Sequence, residues 1–332
     1  MMNVLQNIKK YAWSLLLFVS IYQVKATEKD SISVFSKNHF IFEYYDCDVC
    51  GCGSSGGSMG YGTIGNANFV GVRYIHQEYR SKQGIYNNSP WIDENFNTLQ
   101  AWARIPLSSK IQINAIVPYH FHERELIDGS QKIDGLGDIS IIGFYKLITP
   151  QLDGLLPEQK TLFKHNLEVG AGLKLPTGEY HGENNQGSVN PSFQVGTGSW
   201  DVLLAGDYSV SYKNWGAGVM ANYTFKTKND EEYQFGDQFN YGLNVYRSYT
   251  TMKMQTFTPV IGIAGEIFGE NESYGLGVQD TKGNVLFSRL GLESNFGKFS
   301  AGVNVMLPLV QDLNSGNVEV KSRLGIHFNF NI

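Results

Sequence analysis

The sequence predicts an all-β fold: a transmembrane antiparallel β-barrel of about 12 strands, preceded by a short N-terminal periplasmic or plug segment. Three observations predict it. The final stretch, Lys321 to Ile332, alternates Leu324, Ile326, Phe328, Phe330 and Ile332 against Arg323, Gly325, His327, Asn329 and Asn331. A period of two puts every apolar side chain on one sheet face. An aromatic-rich closing strand of this kind lets a barrel join its ends and leave no open edge in lipid. Composition is the second observation: 37 Gly, 13% aromatic and only 17% charged residues, with a slightly negative mean hydropathy. A helical membrane protein would repeat apolar runs of about 20 residues, whereas alternating lipid-facing and lumen-facing residues average out. The third is a regular exchange of short and long connections between strands.

Residues 1–26 read as a secretory signal peptide. Lys9 and Lys10 form its basic region, Tyr11 to Val24 its apolar region, and Val24-Lys25-Ala26 a small-residue cleavage site. A retained N-terminal anchor is the alternative. Taking the three lysines of this leader from the 26 basic residues leaves 23 against 31 acids, net −8. That balance argues against a nucleic-acid partner.

Residues 27–66 form a Cys/Gly-rich segment, a plug or a periplasmic element. Cys47, Cys50 and Cys52 cluster in DCDVCGCG. In an oxidising compartment they give one disulfide and a spare thiol, or thiolates for a soft metal ion beside Asp46 or Asp48. A redox or partner-docking role is the third possibility. The run Gly56-Gly57-Ser58-Met59-Gly60 matches a hydrolase elbow in letters only, because strand and helix do not flank it. It suits a flexible linker or plug.

From Ala67 the barrel, residues 67–332, repeats about ten alternating residues and then a turn. The clearest outward faces are Ile111 to Phe121 on strand three, Leu167 to Leu175 on strand five, Trp215 to Phe225 on strand seven and Phe299 to Leu307 on strand eleven. In each, every second residue is apolar. Connections after strands two, six, eight and ten are short, for example Lys213-Asn214. Those after strands one, three, five, seven, nine and eleven are expected to be long and polar, among them Ser81 to Asp93, Glu123 to Asp134 and Pro176 to Ser199. The connection after strand four, Ile148 to Leu162, is long where a short one is expected. Short periplasmic turns and long outer loops are the outer-membrane pattern. It places both termini in the periplasm of a Gram-negative cell.

Three motifs then carry a family resemblance. Gly135-Leu136-Gly137-Asp138-Ile139 opens strand four, Leu173-Lys174-Leu175-Pro176-Thr177-Gly178 closes strand five, and Gly196-Thr197-Gly198-Ser199 with Asp201 leads into strand six. In this order they resemble the outer-membrane transporter-like family named for the MetA phenol-degradation pathway, over roughly Gln112 to Ile332. The resemblance implies an outer-membrane barrel that passes small, often hydrophobic molecules. The Cys-rich leader departs from that family's usual start.

Parity assigns the inward set: His120 and His122, Asp138 and Lys146, Glu168 and Lys174, Asp201 and Asp207, Arg289 and Glu293, Arg323 and His327. Both signs occur, so the lumen is not a simple cation or anion ring. Unpaired burial is costly, so pairs or water are expected. Asp138, Asp201 and Pro176 suit turns and rim hydrogen bonds. His120 and His122 share a face and lack a third metal ligand in sequence. Asp230, Glu231 and Glu232 suit a solvated outer surface.

The expected function is a channel for passive passage of small, including hydrophobic, solutes, with no reaction and no bound cofactor. Its partners are outer-membrane lipid, the solute, and the barrel-assembly machinery through the C-terminal strand. The alternative is a soft-metal-binding or partner-docking protein that uses Cys47, Cys50 and Cys52, with the barrel as anchor. A lipid-acting enzyme would need a nucleophile beside a His on the lipid face, and the inward parity of His120, His122 and His327 opposes it.

Overall fold

The computed structural model describes residues 68–82, 90–126, 129–149, 163–180, 183–184, 187–188, 193–252 and 255–332. The leader, the segment 27–66 with its three cysteines, the glycine run and most of the connection between strands four and five lie outside the described residues.

Twelve strands close one antiparallel barrel. They are β1 (Phe69–Lys82), β2 (Trp91–Pro106), β3 (Ile111–Leu126), β4 (Ile139–Ile148), β5 (Lys164–Leu175) and β6 (Asp201–Tyr212). The second half is β7 (Trp215–Phe225), β8 (Gln238–Arg247), β9 (Gln255–Phe268), β10 (Gly283–Phe296), β11 (Phe299–Leu313) and β12 (Val318–Asn331). Each pairs with its chain neighbours, and β12 closes on β1 from Phe69↔Asn331 to Ser81↔Val318. Closure satisfies every strand's backbone groups within the wall, which lipid demands.

The period of two is visible strand by strand. On β12, Ile326, Phe328 and Phe330 are exposed on the outer surface, while Arg323, His327 and Asn329 are buried inside. The same split puts Val117, Tyr119 and Phe121 outward on β3 and His120, His122 and Arg124 inward. So much outward apolar surface far exceeds the patches that water tolerates, and a hydrocarbon layer is the solvent it fits.

One end of the barrel carries tight turns: Leu107–Lys110, Lys213–Asn214 and Gly297–Lys298. The other end carries the long connections. Two expectations there are corrected. The stretch Glu123 to Asp134 is not an open loop. β3 runs on to Leu126 and pairs with a strand segment, Gly129–Leu136, from Tyr119↔Leu136 to Leu126↔Gly129. Polar residues hid this hairpin because both of its faces stand outside lipid, where alternation of polarity is not required. The connection after β11 is not long either. It is the turn Asn314–Asn317, in which Asn314, Ser315 and Gly316 all take positive φ. Residues near it that suggested a loop extend β11 and β12 past the wall, where Leu313 faces Val318.

The segment Gly129–Leu136 and β4 are two parts of one stave, broken at Gly137-Asp138. Above the break β3 pairs with Gly129–Leu136; below it β3 pairs with β4 from Ile116↔Ser140 to Ile111↔Tyr145. Pro118 faces the break, and the Gly137 N–H donates to the Pro118 carbonyl at 2.9 Å. A side chain at position 137 would collide with the His120 ring, so glycine is needed there.

Candidate transport path

At the long-loop end, the three sequence motifs meet. Asp138, at the break before β4, is fully buried. Its Oδ2 accepts from the Lys174 ammonium at 2.8 Å and from the Thr197 backbone N–H at 2.9 Å; its Oδ1 accepts from the Gly178 N–H at 3.0 Å. Lys174, at the end of β5, also pairs with Asp201 at 2.7 Å, and Lys226 approaches the same Asp201 oxygen at 3.4 Å. Ser199 Oγ and the Thr227 N–H donate to the other Asp201 oxygen at 3.0 and 3.1 Å. Two carboxylates and two ammonium groups thus neutralise one another with most lone pairs satisfied, the condition under which buried charge is tolerated. Burial, reinforced by the charge of Lys174, holds the Lys226 ammonium below its usual range, and the two aspartates oppose that shift.

The glycines of these motifs serve backbone contact. Gly178 and Gly196 face each other so closely that a Cβ on Gly178 would lie 2.8 Å from the Gly196 Cα. Gly198 takes φ +68°, which side chains disfavour. The crossing folds the end of the β5–β6 connection inward. Phe193, Gln194, Val195 and Thr197 are all buried although no strand holds them. Phe193 packs on inward groups of the wall: Phe96 at 6.0 Å and His122 at 6.3 Å between ring centroids, with the Arg124 guanidinium 4.6 Å from its ring. Asn229 ties the next outer loop to this segment, donating to the Thr197 carbonyl at 3.1 Å.

Elsewhere in the barrel, charges span the interior. Arg323 on β12 reaches Glu266 on β9, passing over β10 and β11, and bonds the Tyr79 hydroxyl. Its guanidinium lies 4.4 Å from the Phe287 ring. Toward the short-turn end, Glu168 accepts from Gln112 at 2.6 Å and pairs with Arg104 at 3.6 Å and Lys146 at 3.7 Å. His327 and Glu293 lie 3.2 Å apart. Asp207 sits opposite Glu168 in the ladder, and Arg289 opposite Met306.

His120 and His122 come together, ring centroids 4.8 Å apart. Their Nδ1 atoms are engaged, His120 with Thr98 Oγ1 at 3.0 Å and His122 with the Asn97 N–H at 3.1 Å. Among the described residues no group of three metal-ligating side chains gathers. Cys47, Cys50 and Cys52 lie outside them.

Among these charges runs an apolar cluster. It includes Phe193, Tyr79, Phe96 and Phe287 in the half toward the long loops, and Trp102 against Phe69 at 4.5 Å toward the short-turn end. Charged and apolar groups therefore alternate on the same staves and touch one another, Arg73 on Trp102, Arg124 on Phe193 and Arg323 on Phe287. Sequence parity assigned twelve of these inward positions and missed Arg104, Glu266, Lys226 and Phe193. Arg104 and Glu266 share the parity of inward neighbours on β2 and β9, a signal present in the sequence. For Phe193, in a loop, no periodicity existed to use.

Comparison with known proteins places this architecture. The sequence pattern of the family described as the MetA-pathway of phenol degradation matches residues 82–309. The fold is similar to that of an outer membrane channel from Pseudomonas putida F1, with a TM-score of 0.56 and 16% identity over 80% of this chain and 96% of that one. The beta domain of the Bordetella autotransporter BrkA aligns with a TM-score of 0.49 and 9% identity, covering 80% and 100% of the two chains. A Pseudomonas aeruginosa FadL homologue aligns at 0.30 and 9%, covering 88% and 99%. At such identities the likeness is one of fold. No curated protein matches the chain in sequence.

Proposed function

The chain belongs to the MetA-pathway of phenol degradation family, and from that membership we propose a passive outer-membrane channel for small solutes, hydrophobic ones among them, in a Gram-negative cell. One observation carries the reading: the cluster of apolar groups that runs through the interior from Phe193 to Trp102, interleaved with its charges. A solute with little polar surface leaves water for these groups without breaking hydrogen bonds, while its polar atoms meet the charges that stand among them. The work is passage along the barrel, with no bond made or broken. The similarity to a solved outer membrane channel supports the same reading.

On this proposal the long-loop end faces outward and both termini lie in the periplasm. Phe193 and the segment through Ser199 narrow the outer mouth. The Cys/Gly-rich segment 27–66 serves as a plug or periplasmic element, and the C-terminal strand engages the barrel-assembly machinery. Single-channel recording in planar bilayers tests the proposal, using residues 27–332, a chain starting near Ala67, and Phe193→Ala in each. Conductance that rises with Phe193→Ala supports passage through the mouth. Silence in all four proteins refutes it.

A further inference from the structure

Among the described residues, the side chains on the outer surface at the short-turn end are charged in one sense only. Lys110, Lys213, Arg247 and Lys298 are exposed there, in the β2–β3 turn, the β6–β7 turn, at the end of β8 and in the β10–β11 turn. Among the described residues, no acidic side chain stands on the outer surface at this end. Glu168 and Glu293, the acids nearest to it, point inward and are buried. The opposite end mixes signs, with pairs such as Arg80–Glu319, Lys132–Glu123 and Lys321–Asp93.

The basic groups are also presented in a fixed way. Arg247 lies opposite Trp215 in the ladder, and Trp215 lies opposite Tyr212. The Arg247 guanidinium stands 5.1 Å from the Trp215 ring and 5.0 Å from the Tyr249 ring. Lys213 stands 5.3 Å from the Tyr212 ring. Trp215 and Tyr249 are about half exposed, at 52% and 48%. Aromatic rings of this kind sit at the level of lipid headgroups, and stacking holds a guanidinium planar without consuming its in-plane donors.

We propose that this collar binds the phosphate groups of anionic phospholipid in the leaflet that faces the short turns, with Arg247 and Lys213 as its centre. Phosphate is the complement: it sits at the depth of the rings, accepts from a guanidinium fork and carries the charge the collar lacks. The inference rests on the proposed orientation, in which that leaflet is the periplasmic one. It does not depend on solute passage.

The test is native mass spectrometry of the full chain in micelles holding equal phosphatidylglycerol and phosphatidylcholine. Arg247→Gln, Lys213→Asn and their combination are compared with the parent, and folding is checked by heat-modifiable mobility on gels. Asparagine suits position 213, where φ is +52°. The expected result is retention of phosphatidylglycerol over phosphatidylcholine by the parent, falling about fivefold for each cation removed. No lipid preference in the parent, or a preference unchanged in the double variant, overturns the proposal. So does salt-sensitive binding of polyglutamate with no lipid preference, which assigns the collar to an acidic protein partner. Labelling of Lys213→Cys by an impermeant reagent on intact cells separates the two failures. Labelling from outside overturns the orientation even if the lipid preference stands.

Discussion

Replacing Asp138 by Ala removes the acceptor of four hydrogen bonds at the mouth and one of the two carboxylates facing Lys174. Loss of one partner from a buried ion pair costs about 3–5 kcal/mol, because the remaining charge stays buried. Lys174 keeps Asp201 at 2.7 Å, which places the expected cost near the lower bound, about 3 kcal/mol. The barrel ladder does not depend on this cluster, so the cost falls on the segment that Asp138 anchors, Phe193 to Ser199. An opening equilibrium of that segment shifts by roughly a hundredfold for about 3 kcal/mol. Hydrogen exchange read by mass spectrometry measures it directly. Peptides covering residues 193–200 lose about two orders of magnitude of protection, while peptides from β1 and β12 are unchanged. Asp138→Asn with Lys174→Met removes both charges and recovers most of the protection. Unchanged exchange over residues 193–200 in Asp138→Ala refutes the argument that the motif cluster holds this segment in place.

Arg323→Met destabilises the barrel by about 3–5 kcal/mol through the stranded Glu266 carboxylate, and Arg323→Met with Glu266→Gln recovers most of it; urea unfolding in lipid vesicles reads both. Gly196→Ala drives a Cβ into the Gly178 backbone, which has no flexible end to give way, and costs about 1–3 kcal/mol, seen as lower thermal stability with the barrel assembled. Burial, with the nearby Tyr233 and Glu231, pushes the Tyr180 phenol up to about 12. An unfolded tyrosine ionises near pH ~10, so the outer loops keep full stability below that pH and lose it as pH rises toward 12. The absorbance at 295 nm lost in Tyr180→Phe therefore titrates about two pH units above the bulk tyrosines, and a midpoint near ~10 contradicts the burial argument.

The wall was legible because its rule is local. Two-residue alternation needs no knowledge of which strands meet, so Phe328 outward and His327 inward follow from sequence alone. The outer end was less legible because nothing there must face lipid. The hairpin of Glu123 to Asp134 looked like loop, and the turn Asn314–Asn317 was hidden inside a strand extension. The motif cluster shows the same divide. Asp138, Lys174 and Asp201 were visible as charged residues at strand ends. Their meeting is a contact across 63 residues of chain, made through Gly178 and Gly196 at a crossing no short-range pattern encodes. Pairing of Arg323 with Glu266 was hidden likewise, since two strands separate them and ladder neighbours say nothing of chords across a lumen.

The central claim is that the mixed apolar and charged interior carries small apolar solutes across the outer membrane. The most direct measurement is uptake of a small apolar fluorophore by intact Gram-negative cells, whose lipopolysaccharide leaflet excludes it, with and without the protein. The account predicts faster uptake with the protein, slowed when Phe287→Asp replaces one of the interior apolar groups by an acid, and no matching gain for a disaccharide. Equal uptake with and without the protein, or a gain that Phe287→Asp leaves untouched in a folded barrel, contradicts it.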